Sequence, residues 1–277
     1  MPARPIVAAI LLFWLAMAGW YVAREVAPRW GREDNPSFHI DLTDEVGAPA
    51  VDWQALVNGK RIGRATTQVR RLGDDLFEMK GDFAASEMRL LDVDLRTIRI
   101  QTRYQVNTEG RLLDTALSLR VNLSGLDLHL GVKGKVENGT WTPVFEIDGQ
   151  PIPDLPFLQS VKLGSGGNVM NTMMPHRRIP GLRLGQKWRV PLLDPVGDLK
   201  SWLGKNTVIE ELEALVVADN LDWNGEEVDC FKIEYREPGK AEPSAHTWVR
   251  RRDGVVLKQE AQHAGITLTL LRDPPRF

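Results

Sequence analysis

A single cysteine, Cys230, occurs in the 277 residues, so no intrachain disulfide can form and packing must hold the chain together. In VDCFKIEYRE it shares a strand face with Lys232 and Glu234, opposite Phe231, Ile233 and Tyr235, and reads as a small residue filling a strand position. No histidine stands near it in sequence to activate a thiolate. An excess of charge of one sign is equally absent. With 35 Lys and Arg against 37 Asp and Glu, the net charge is −2, and neither half carries the positive field that nucleic acid binding needs. Nucleic acid is therefore not expected as a partner.

Recognisable catalytic and metal motifs are missing as well. The five histidines, His39, His129, His176, His246 and His263, are scattered, and none falls in a His-Glu-x-x-His frame or an i,i+4 pair. The LGSGG run at 163–167 lacks the Gly-Lys-Ser/Thr ending of a phosphate loop. Asp92 and Asp94 share a strand face, where two solvated carboxylates are ordinary. His176, Arg177 and Arg178, with Arg183, form a basic group that reads as a solvated loop or as an anion site. The expectation is a protein without catalytic residues, cofactor or metal.

Long apolar runs are rare too, with one exception. Residues 6–22, IVAAILLFWLAMAGWYV, are uninterrupted and would span about 26 Å as a helix, at the short end of a bilayer crossing. Trp20, Tyr21 and Trp30 lie where headgroups would meet an emerging helix. Ala16-Met17-Ala18 has the small-x-small form of a signal cleavage site, but the apolar run continues past it. The run is expected to remain as a single-pass anchor in the cytoplasmic membrane with the C-terminal domain outside. The alternative is export after cleavage near Ala18. Arg24, Arg29 and Arg32 behind the run argue against that orientation, although large domains translocate largely regardless of such charges.

What is present in quantity is period-two alternation. IRIQTRYQV sets Ile98, Ile100, Thr102, Tyr104 and Val106 against Arg99, Gln101, Arg103 and Gln105. LDTALSLRVNL does the same with Leu113, Leu117, Leu119, Val121 and Leu123, and LDLHLGVK with Leu126, Leu128, Leu130 and Val132. Gly73-Asp74-Asp75, Asn58-Gly59-Lys60-Arg61 (a four-residue connection) and Asn224-Gly225 punctuate the strands. Each strand pairs one apolar face with one polar face, as in antiparallel sheet.

The chain thus divides into an anchor or signal (1–24), a tether (25–49), a first antiparallel half (50–150), a Pro- and Gly-rich crossing segment (151–185) and a second half (186–277). DPVGDLKSWLGK is expected to form one short helix. The halves echo each other weakly, through VRRLGDDLFEMK and VRRRDGVVLKQE, and through Trp53 and Trp223, each ahead of an Asn-Gly turn. With few helices to cover ten or more amphipathic strands, the sheet is expected to curve strongly into a half-barrel or barrel-like shell, as one sheet or two β halves.

The anchor or signal, the Trp-containing strand with VNGKRIG, the RRIPGLRLGQKWRV passage and the closing AHTWVRRRDGVVLKQEA together resemble a group of exported bacterial β proteins. That group is similar in fold to the lipoprotein carrier LolA and its receptor LolB. The resemblance implies an open, bent antiparallel sheet with a concave apolar face outside the cytoplasmic membrane. Two departures stand out: no lipobox cysteine lies near the N-terminus, and the middle segment is longer than a simple carrier needs.

The reading is therefore an extracytoplasmic binding module, held to the membrane by residues 6–22 and carrying lipid or another hydrophobic ligand. Ile100, Tyr104, Leu117, Leu119, Leu128 and Leu130 are its candidate ligand-lining residues. The alternative is a structural or protein-interaction module of the envelope, partnered by another envelope protein and lacking a ligand cavity. The intact mass of the mature protein tests the first of these expectations: retention of residues 1–24 is the outcome expected, and a product beginning at Gly19 would make the segment a signal.

Overall fold

The structure, a computed structural model, describes residues 42–90, 93–108, 111–123, 126–152, 161–162, 170–171, 174–193, 211–263 and 265–274. The apolar run at 6–22, the LGSGG run, Asp92 and the short helix expected within 194–205 lie outside the described residues. Among the described residues, no helix is long and apolar enough to cross a membrane.

Alternation does become antiparallel strand. The first half forms β1 (Val51–Val57), β2 (Lys60–Arg71), β3 (Leu76–Leu90), β4 (Val93–Asn107), β5 (Leu112–Leu123), β6 (Leu126–Glu137), β7 (Thr140–Ile147) and β8 (Gln150–Pro151). The crossing segment contributes two-residue strands, β9 (Val161–Lys162) and β10 (Met170–Asn171). The second half forms β11 (Lys187–Leu193), β12 (Glu211–Trp223), β13 (Glu226–Arg236), β14 (Ala245–Arg250), β15 (Val256–His263) and β16 (Ile266–Arg272).

All belong to one 16-stranded sheet, ordered β10-β11-β12-β13-β14-β15-β16-β1-β2-β3-β4-β5-β6-β7-β8, with β9 beside β7. The two halves are joined by β1 and β16, paired from Trp53↔Arg272 to Val57↔Leu268. Apart from the short parallel β10–β11 contact, the described pairings are antiparallel, and none joins the two ends of the sheet.

The sheet curls. The Asn171 side-chain amide donates to the Tyr104 hydroxyl on β4, while Gln259 on β15 donates to the Asn171 carbonyl at 2.9 Å. Five strand steps separate β15 from β4, about 24 Å if the sheet were flat, which three side chains cannot span. One apolar cluster fills the concave side. It runs from Trp188 and Leu212 through Ile233, Val249, Leu270 and Trp53 to Phe83 and Ile100, and the crossing segment adds Ile179 and Leu182. A second cluster packs Phe77, Tyr104, Val106 and Leu112 around Leu42 and Met174. Buried indoles find acceptors, as such groups must: Trp53 Nε1 donates to Thr67 Oγ1 at 3.0 Å and Trp141 Nε1 to Thr115 Oγ1 at 2.9 Å.

Three details depart from the alternation read in the sequence. Leu113 is exposed and Leu112 buried, because Gln105 pairs with Asp114 but Val106 pairs with Leu112, a bulge that turns Leu113 outward. The connection at Asn58 is a two-residue turn, with Val57 paired to Lys60, and Lys60 and Arg61 belong to β2. The echo between the halves does not superpose on the topology: Val-Arg-Arg ends the strand after the first Asn-Gly turn (β2) but the second strand after the other (β14).

Asn58-Gly59 and Asn224-Gly225 both have positive φ at both positions, the twist that matches a two-residue hairpin. Gly254 is constrained differently. Its φ is +71°, and a Cβ there would sit 3.0 Å from the Ile179 carbonyl oxygen of the crossing segment. Gly59→Ala should therefore cost about 1 to 2 kcal/mol through backbone conformation alone, and Gly254→Ala more, since it also presses on the segment. Urea denaturation of the two variants measures the difference.

Candidate ligand-binding cleft

Strand register assembles the concave face into rows. Phe83, Ile100, Leu119, Leu130 and Ile147 face one another across five strands. One row nearer the start of β2 lie Gly63, Ala85, Ile98, Val121 and Leu128. On the other side come Thr102, Leu117 and Val132, then Tyr104 and Thr115.

All six residues read as ligand-lining from sequence thus share the concave face, but burial separates them. Ile100 belongs to the main core and Tyr104 to the cluster around Met174. Leu117 and Leu119 are half-buried against the core, and Leu130 is half-buried beside Leu119. Leu128 borders a cleft.

The cleft has a volume of about 800 Å³ and lies across the ends of β2 to β7. Its apolar lining includes Ile62, Ala85, Ile98, Val121 and Leu128. Ala85 and Ile98 are buried core residues, and Ile62 and Val121 pack against the same core, so this part of the lining belongs to the concave row. Its polar lining comes from the adjoining row of opposite parity, Arg64, Arg99, Arg120 and His129, which projects from the other face of the sheet, and from Asp127 and Asp148 near the β6–β7 side.

The charges in this row are unevenly satisfied. Arg99 grips Asp82 with two hydrogen bonds, at 3.2 and 2.5 Å, and Gln101 adds a third at 2.9 Å. Burial pushes the Asp82 carboxyl up, but these donors outweigh it and hold the group below its ordinary range. Asn122 donates to Asp127 at 2.5 Å. Arg64 and Arg120 are exposed and make no ion pair among the described residues. Sequence reading placed Arg99 and Arg120 on polar strand faces but missed the row, because a row appears only once register is known.

His129 Nε2 lies 2.9 Å from Ser118 Oγ. No carboxylate among the described residues bonds its other ring nitrogen, so the contact is a cross-strand hydrogen bond without the third member of a triad. Cys230 is fully buried between Trp248 and Leu257, and burial, with Asp229 and Asp219 nearby, pushes its thiol up to about 11. No group of three His, Cys, Asp or Glu among the described residues can hold a metal ion.

At the opposite ends of the strands the crossing segment is latched down. Arg178 donates to the Asp253 carbonyl through Nε and Nη2, at 3.1 and 2.8 Å, and Ile179 N–H donates to the Gly254 carbonyl at 2.7 Å. Arg272 Nη1 donates to the Arg177 carbonyl at 3.0 Å and to that of Val256 at 3.2 Å. Burial, with Arg177 and Arg250 near, brings the Arg272 guanidinium down to about 10. Burial pushes the Glu45 carboxyl up, against the pull of Arg177, Arg178 and Arg272. Arg177 and Arg178 are thus structural members of this latch, and Arg183 is exposed.

No family model matches the chain, and no curated protein does. A solved structure of a DUF1089 family protein from Pseudomonas aeruginosa is similar over 76% of this chain and 89% of its own, at 14% identity and a TM-score of 0.26. No residue or role is carried across at that level of overlap.

Burial also lowers the His176 imidazole to about 4, beside Glu45, Lys80 and Arg177 around a small void. A depressed histidine contributes stability that is present above its ordinary value near 6.5 and lost as pH falls through 4. Glu45, raised by burial, acts with the opposite sign. His176→Gln should therefore flatten the decline of stability between pH 6.5 and 4 relative to wild type, as read by denaturation midpoints across that range.

Proposed function

We propose that the chain is an extracytoplasmic binding module, anchored through residues 6–22, that carries a lipid or another hydrophobic ligand. The supporting observation is the concave apolar face beyond the crossing segment, where Leu119, Val121, Leu128 and Leu130 are only half-buried and Val121 and Leu128 border a cleft of about 800 Å³. That volume is in the range that holds one small ligand, and such sites are apolar with a few polar groups to orient the occupant. The finer shape belongs to the same proposal: a half-barrel shell, gripped at one end by its own crossing segment and open to ligand at the other, akin to the lipoprotein carriers in strand arrangement. The module binds, without catalysis or cofactor.

A second reading, a structural or protein-interaction module of the envelope, draws on the packed interior beyond the cleft. Trp53, Phe77, Leu212 and Leu270 are fully buried there and leave no room for a ligand.

Leu128→Asp separates the readings. Leu128 is half-buried at the cleft, so the variant should keep its circular dichroism spectrum while losing the lipid that co-purifies with wild type. Leu119→Asp, against the core, should destabilise the fold by several kcal/mol. Wild-type lipid content in a folded Leu128→Asp protein would remove the cleft from the proposal, and absence of lipid from wild type would favour the interaction module.

A further inference from the structure

We infer that a single helical turn of the tether, Leu42–Glu45, is a strap that holds the crossing segment closed over the concave face, so that displacing the tether uncovers that end. The coupling is a property of the fold alone, and its consequence for a ligand rests on the binding reading above. Crossing segment and β14–β15 turn are joined first through their backbones: Arg178 bridges Val255, Val256 N–H donates to the Arg177 carbonyl at 3.1 Å, and Ile179 N–H donates to that of Gly254. Glu45 adds a third element to this junction. It is only 5% exposed, its carboxylate accepts the Arg178 N–H, and Arg177, Arg178 and Arg272 all act on it.

Charge makes this turn more than a filler. Arg250 grips Asp253 with two bonds of 2.9 Å, which leaves Glu45 as the carboxylate that faces the crossing segment and the last strand together. Among the described residues around the small void beside the junction, Glu45 is the only carboxylate, with Lys80, His176 and Arg177 for neighbours. Removing one partner of a buried ion pair leaves the other uncompensated, so the junction weakens when Glu45 leaves. At the other end of the turn, Leu42 is buried in one cluster with Met174 of the crossing segment, Phe77 and Tyr104. The strap is thus fastened to the crossing segment twice, once by charge and once by apolar contact. Since it stands between the apolar run at 6–22 and β1, a pull on the tether reaches Leu42 and Glu45 before it reaches the sheet. Met174 and Ile179, the side chains that cover this end of the concave face, are the ones released.

The test compares the full chain in phosphatidylcholine nanodiscs with Glu45→Gln, which keeps the shape and removes the charge, and with Leu42→Ala, which loosens the other fastening. Amide hydrogen exchange over residues 174–182 and 250–257 reads the latch, and residues 232–236 of β13, at the far end of the sheet, are the control. Peroxide oxidation of Met174, only 4% exposed, reads the uncovering. Each variant should speed exchange in both latch segments about tenfold and Met174 oxidation several-fold, with the control segment unchanged. Should Glu45→Gln fail to fold, Leu42→Ala alone decides. Wild-type exchange at 174–182 in a folded variant would overturn the strap. An equal rise in the latch and in the control would make the turn a contributor to global stability, and would overturn it too. Faster exchange confined to the latch, in a protein from which no lipid can be extracted beyond that of empty discs, would uphold the strap and count against the binding reading alone.

Discussion

The pairing of the first long strand with the last, β1 with β16, is the interaction on which the rest of the structure depends. Five residue pairs close this seam, and Trp53, Ala55 and Leu270 are fully buried along it. Because the chain enters and leaves the sheet at its centre, both edges belong to the middle of the sequence. The segment between β8 and β11 must therefore travel from one edge to the other, and the concave side is where it crosses. Its latch onto the β14–β15 turn, through Arg178 and Gly254, follows from that route. A seam between residues more than 200 positions apart also gives the fold many non-local contacts, and such topologies fold slowly.

A single sheet that curls has to hide its own apolar face. The main core does so near the seam, where large side chains from both halves meet. The crossing segment does so at one end, with Met174 and Ile179. At the other end the first half extends beyond this cover, and there Leu119, Val121, Leu128 and Leu130 are only half-buried. The convex side is handled by charge: Lys232 pairs with Asp219 and Glu234, and Lys258 with Glu260. Lys258 also lies 4.3 Å over the Trp248 ring, and Trp248 Nε1 donates to Asp219, so even this outward tryptophan is satisfied.

Much of this architecture was legible in the sequence because strands and turns are local. Period-two alternation located β4, β5 and β6, and Asn-Gly pairs located two hairpins through their tolerance of positive φ. What was not legible depends on register. One extra residue at Leu113 reverses the alternation, and no local signal marks it. Another at Leu257 turns a leucine onto the outer face, where it encloses Cys230 in an apolar pocket, although the sequence had rightly set Cys230 beside Lys232 and Glu234. The candidate lining residues were correctly placed on one face. Which of them reach open space was decided by the crossing segment and by the seam, neither of which is encoded in β4, β5 or β6. Arg64 and Arg120, which lie 56 positions apart, become neighbours of one cleft only through three intervening strand pairings.

The central claim is that the space beside Leu128 is occupied by lipid in the cell. A photo-crosslinking residue placed at position 128 and activated in living cells tests it most directly, with position 215, on the opposite face of β12, as control. The account predicts an adduct of lipid mass at 128 and none at 215. A protein adduct at 128, or lipid captured equally at both positions, would contradict it.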